Sequence, residues 1–156
     1  MCGIIGIVSR PSGRAVPTSA HVLEGLDEAL RLSRDGDVAR TADHVGQVDL
    51  LLRGDAGLAV LMDNRRLAVD VTSRLDELDA FALSSEAALE SASSLSVAEV
   101  ERRSLDLARL KDANWAIRND RLRNAVAVFD LAGTGATDSA RNAYFSIQQA
   151  FAALDR

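Results

Sequence analysis

Cysteine is almost missing from this chain. Cys2 is the only one, so no disulfide can form within it, and a reducing compartment, the cytoplasm, is the expected home. Proline is nearly as rare: Pro11 and Pro17 are the only two, and nothing from Thr18 onward interrupts a helix in that way. Aromatic residues are 4% of the chain, so a core must be built from Leu, Val and Ala, which suits closely packed helices. Lysine occurs once, at Lys111, and all other basic residues are arginine. With abundant alanine, that bias reads as the composition of a GC-rich coding sequence rather than as a functional choice. No apolar run approaches the roughly 20 residues of a membrane span. The apolar start is too short for a secretory core and has no basic segment before it, so no membrane partner is expected. The formal net charge of −5 argues against nucleic acid as a partner, because that binding draws on basic patches.

What is present is globular: 156 residues, 47% hydrophobic and 26% charged, enough for one ordinary domain. The dominant pattern is helical. Val22, Leu23, Leu26, Ala29 and Leu30 share a face, with Thr18 or Ser19 as cap and Gly36 as stop. A second stretch runs from Val38 through Val45 and Val48 to Leu52 and closes at Gly54. Asp55 opens a short helix through Leu58 and Leu61, and Asp63-Asn64 is either a break or only a pause. Leu67, Val71, Leu75, Leu78, Ala82 and Leu89 form an amphipathic stripe that ends at the serine-rich Ser91-Ala92-Ser93-Ser94. Ser96 and Glu99 have the spacing of a capping box. The helix they start is expected to run from Val97 to about Ala132, roughly 50 Å at 1.5 Å per residue. Leu107, Leu110, Ile117, Val128 and Leu131 make one stripe on it; Trp115, Leu122, Val126 and Phe129 make a second, as if it packed on two neighbours. Thr137 or Asp138 caps a last helix, with Ala140, Tyr144, Ile147, Phe151 and Leu154 facing inward.

The chemistry lies at the start, in Met1-Cys2-Gly3-Ile4-Ile5-Gly6-Ile7-Val8. Removal of Met1 leaves Cys2 with a thiol and a free α-amine on one residue. The reference pKa values, about 8.5 for the thiol and 7.7–8.0 for the amine, make proton exchange between them cheap near neutrality. The thiolate is the attacking species, and an adjacent base raises its availability. Gly3 permits close approach of a substrate, and the β-branched Ile4, Ile5, Ile7 and Val8 predict a buried strand. The plain alternative is a short strand with an inert cysteine.

This octet resembles the start of the class II glutamine amidotransferases, most closely the glutamine–fructose-6-phosphate aminotransferase branch, which typically begins Met-Cys-Gly-Ile-x-Gly. The resemblance covers residues 1–8, with an echo in the tail Gln148-Gln149-Ala150-Phe151-Ala152-Ala153-Leu154-Asp155-Arg156, similar to the family helix that precedes an Arg-Gly-x-Asp-Ser-Ala-Gly motif. It implies glutamine as substrate, Cys2 as catalytic nucleophile with its α-amine as base, no metal and no organic cofactor. It also implies a fold class: mainly α, with one N-terminal β-strand (the start of an Ntn-hydrolase-type glutaminase fold) followed by a bundle or long hairpin of amphipathic helices. The expected organisation is residues 1–17 as strand and linker of a glutaminase domain, 18–135 as a helical insertion, and 136–156 as a helix leading back to the glutaminase core. The family's glutamine-binding arginine, its Gly-Asn oxyanion pair and the aspartate that holds the substrate amine have no counterpart here. Each missing oxyanion donor costs about a hundredfold or more. The chain is therefore expected to be incomplete and inactive alone, with the remainder of the enzyme as its partner. The rival expectation is a non-enzymatic helical interaction module that self-associates or binds a partner.

Other chemistry is weaker. His21 and His44 are the only histidines, and no Cys-x-x-Cys or His-x-x-x-His supports a zinc site. Gly133-Thr134-Gly135 follows a helix rather than a strand and reads as a helix stop. The basic window Arg118-Asn119-Asp120-Arg121-Leu122-Arg123 reads as a solvated flank, and Asp76, Glu77 and Asp79 as ordinary surface charges.

Overall fold

The computed structural model describes residues 14–127. Five α-helices follow one another: α1 (Ser19–Arg34), α2 (Val38–Leu51), α3 (Gly54–Asp63), α4 (Arg65–Ser91) and α5 (Val97–Ala116). A π-helical segment, Ile117–Leu122, continues α5, and residues 123–127 return to α-helix.

Each boundary has a local cause. The Thr18 hydroxyl accepts from the His21 N–H at 3.1 Å and caps α1. Past the other end of α1, Gly36 takes φ +75°, the left-handed region that costs a side chain energy. There the Asp37 N–H reaches back to the Leu32 carbonyl at 3.1 Å. Asp37 in turn caps α2 through the Arg40 N–H. Asn64 does break the chain between α3 and α4: it accepts from the Arg66 N–H at 3.1 Å, and its Nδ2 donates to the Ser19 Oγ at 3.4 Å. Ser96 and Glu99 form the full capping box at the start of α5.

The helices pack in a ring. α1 lies against α2 and α4, α5 lies against α2 and α4, and α3 bridges α4 and the π segment at one end. Val22, Leu26 and Ala29 of α1 meet Val45 and Val48 of α2, Leu67, Val71, Leu75 and Leu78 of α4, and Leu107, Leu110 and Ile117 of the last helix in one continuous core. Burying each such side chain is worth about 1.5–3 kcal/mol. Two close approaches matter. Gly25 faces the Val48 side chain, and a Cβ on Gly57 would stand 2.1 Å from the Leu52 carbonyl carbon and oxygen. Gly57 therefore lets α3 fold back tightly on the end of α2.

Two sequence expectations are corrected. The first is the fold class. No strand occurs among the described residues; they form a helical bundle, and nothing of an Ntn-hydrolase-type glutaminase fold is among them. The physical reason is that capped stripes of helical period fill 19–127, with no run of period-two alternation. Residues 1–8, where the strand was expected, lie outside the described residues, as do Val128, Phe129, Leu131 and the helix expected after Thr137. The second is the double stripe on the last helix. Trp115 and Val126 are exposed, while Leu122 is buried. The π segment makes the difference: each turn there takes up more residues, so Leu122 follows Ile117 by five positions and still faces the core with Ala125.

The glycines supply a paired test. Gly57→Ala should lose about 3 kcal/mol or more through overpacking against Leu52. Gly46→Ala, with nothing within 4 Å of the added Cβ, should gain about 0.5–1 kcal/mol. Urea denaturation of the two variants reads both signs.

Candidate functional site

Cys2, the predicted nucleophile, lies outside the described residues. Within them the structure gathers polar groups at two places, both next to the π segment.

The first surrounds the last turn of α2. Asp49 sits on the buried side of that helix, its side chain only 4% exposed. Its Oδ2 accepts from Arg53, four residues on, at 2.9 Å (Nε) and 2.6 Å (Nη2). Its Oδ1 accepts from Arg121 Nε of the π segment at 2.9 Å. Just beyond, the α2 backbone runs out of intrahelical donors for its last carbonyls. Arg14 supplies them: Nη1 donates to the Leu50 carbonyl at 2.6 Å, and Nη2 to the carbonyls of Leu51 at 2.9 Å and of Arg53. A cation there also meets the negative end of the helix dipole. Arg14, ahead of α1, and Arg121, on the π segment, thus both reach the same turn of α2.

The second cluster joins α4 to the last helix. Asn114, buried within the stripe of Leu107, Leu110 and Ile117, donates from Nδ2 to the Leu75 carbonyl at 3.1 Å and to Asp79 Oδ1 at 2.6 Å. Its Oδ1 accepts from Arg118 Nε at 3.1 Å. Arg118 Nη2 then reaches Asp76 Oδ1 at 2.8 Å and Asp79 Oδ2 at 3.0 Å. Arg118 and Arg121, expected on a solvated flank, are instead tied into the fold, Arg118 by Asp76 and Asp79, which stay exposed at the surface as expected, and Arg121 by Asp49. The signals were Asn114, the one polar residue on an apolar stripe, and the Asp49–Arg53 spacing of i, i+4. Arg14 left no signal, because it stands in a segment without periodicity.

Neither cluster offers reaction chemistry. Both oxygens of Asp49 are occupied by arginine, and no buried side-chain nitrogen or oxygen among the described residues lacks a partner. His21 is exposed and His44 half-buried. Among the described residues no group of three His, Cys, Asp or Glu side chains could hold a metal ion, and no helix is long and apolar enough to cross a membrane. The chain matches no family model, no curated protein and no solved structure at a significant level.

Shifted titrations are confined to helix surfaces. The Ser96 hydroxyl and backbone N–H hold the Glu99 carboxyl below its ordinary value, and Arg31, by hydrogen bonding, does the same to Glu28. Hydrogen bonds to Glu28, Asp27 and Asp43 raise Arg31, Arg74 and Arg109, respectively.

Two tests follow from this geometry. A carboxyl lowered on folding adds stability above its unfolded pKa, and that stability is lost as pH falls through the folded value. Carboxyl carbon NMR should show Glu99 titrating below 4.5, and Ser96→Ala should return it toward that value; an unshifted Glu99 in the native chain removes this account. At the other site, Asp49→Ala leaves Arg53 and Arg121 without their carboxylate and should cost about 2–4 kcal/mol. Arg121→Met leaves the Asp49–Arg53 pair intact and should cost clearly less, both read from chemical denaturation.

Proposed function

We propose that this chain is the N-terminal part of a class II glutamine amidotransferase of the sugar-phosphate aminotransferase type, carrying its helical bundle as an insertion over about 18–135. The observation that carries this reading is the opening Met1-Cys2-Gly3-Ile4-Ile5-Gly6, which sets a thiol and, once Met1 is removed, an α-amine on the same residue. What fits the insertion half of the reading is that the described helices share one continuous core, as a unit spliced into a host requires.

In this mechanism the Cys2 α-amine, through a water, takes the thiol proton, and Sγ attacks the carboxamide carbon of glutamine. The tetrahedral oxyanion collapses, the C–N bond breaks, and the nitrogen leaves as ammonia with the proton returned to it. A thioester remains, which water hydrolyses to glutamate and free thiol. The described residues carry no donor set for the oxyanion, so the glutamine pocket is assigned to the remainder of the enzyme, which also passes ammonia on to fructose 6-phosphate. The cytoplasm suits a nucleophile that must stay reduced.

A second reading, a helical interaction module without catalysis, draws on Trp115, whose ring stands 60% exposed on the outer side of α5, with Leu105 also exposed on that helix. The two readings part on Cys2. In the protein extended past Arg156 through its reading frame, Cys2→Ala or a retained Met1 should lower glutaminase activity by at least about a thousandfold. An intact mass lacking Met1, with Cys2 labelled by a glutamine-like diazoketone, accompanies that result. Full glutamine hydrolysis with Met1 in place would sink the mechanism.

A further inference from the structure

We propose that Arg14 is a latch: its guanidinium, seated on carbonyls at the end of α2 and in its link to α3, holds the segment that precedes α1 beside the π segment of the last helix. The two sides of this junction are secured by different means. The departing helix is part of the core, since Leu122 and Ala125 are buried and Arg121 is bonded to Asp49. The segment that precedes α1 is held by other means. Residues 15–18 have no regular structure, and Val16 is 55% exposed. Among the described residues, the fork of Arg14 on the carbonyls of Leu50, Leu51 and Arg53 ties that segment across the fold.

The chemistry suits that role. Two of the acceptors, Leu50 and Leu51, close α2, where carbonyls run short of intrahelical donors, and the third, Arg53, lies in the extended link to α3. A planar guanidinium, with five N–H groups in fixed directions, can satisfy several of them at once; an ammonium is a point donor and cannot span them in the same way. Because Arg14 is exposed and makes no part of the apolar core, cutting the latch frees the entering segment without melting the bundle. This inference stands apart from the amidotransferase reading and survives or fails without it.

The test uses the full 156-residue chain with Cys2→Ser, and with nitroxide labels on cysteines placed at the exposed positions Val16 and Val126. Double electron–electron resonance reads the distance between them. With Arg14 present, a single narrow distribution is expected. Arg14→Gln should shift it to longer distances and broaden it, Arg14→Lys should fall between the two, and helicity by circular dichroism should stay at the native level in both. An unchanged distribution in Arg14→Gln would overturn the proposal. So would loss of helicity in that variant, because Arg14 would then be a prop of the bundle itself rather than a latch on its margin.

Discussion

Burial of aliphatic side chains between α2 and α5, with α1 and α4 closing the ring, is the interaction on which the rest of the structure depends. No covalent staple can substitute for it in a chain with one cysteine. Leu26, Val45, Leu75, Leu110 and Ile117 are fully withdrawn from water, and at about 25 cal/mol per Å² of apolar surface such residues supply the bulk of the favourable free energy. Both polar clusters sit where this core meets the last helix, and they are tolerated there because every buried side-chain nitrogen and oxygen among the described residues is matched. A buried polar group without a partner costs about 1–3 kcal/mol, so partial satisfaction of either cluster would weigh heavily against the aliphatic gain. The clusters fix how the helices meet; the leucines and valines decide that they meet at all.

Much of this bundle is legible in the amino-acid order, and the illegible parts share a cause. Thr18, Gly36 and the Ser96–Glu99 box mark boundaries through interactions spanning a few residues, and Leu67–Val71–Leu75–Leu78 marks a buried face through a fixed period. These are local rules, and they hold. Periodicity misleads beyond Ile117, because the π segment changes the period itself and brings Leu122 onto the buried face, away from the stripe it shares by spacing with the exposed Trp115 and Val126. The contacts of Arg14 with the end of α2 and of Asp49 with Arg121 were hidden for another reason. These partners lie more than thirty residues away, and of the two only Asp49 carries a local mark, its spacing from Arg53. The strand foreseen for the first eight residues rested on β-branched residues and on resemblance, and among the described residues every element is a helix.

Chemistry and scaffold are divided along this chain. Cys2 stands before Arg14, and within the bundle the charged groups drawn toward the core, Asp49, Arg118 and Arg121, are held by ion pairs across the helices. On either functional reading its outer face is the part that a neighbour meets, and the exposed indole of Trp115 is the largest apolar element on it.

The π segment has a consequence for how the chain could vary. Its widened turn accommodates one residue more than an α-helix would over the same rise. Deleting a single residue between Ile117 and Leu122 would let the helix tighten to the ordinary pitch without breaking it, and Leu122 and Ala125 would then stand four and seven positions after Ile117, still on the buried face. The π turn thus works as a buffer, absorbing one surplus residue while the helix keeps its phase through residue 127.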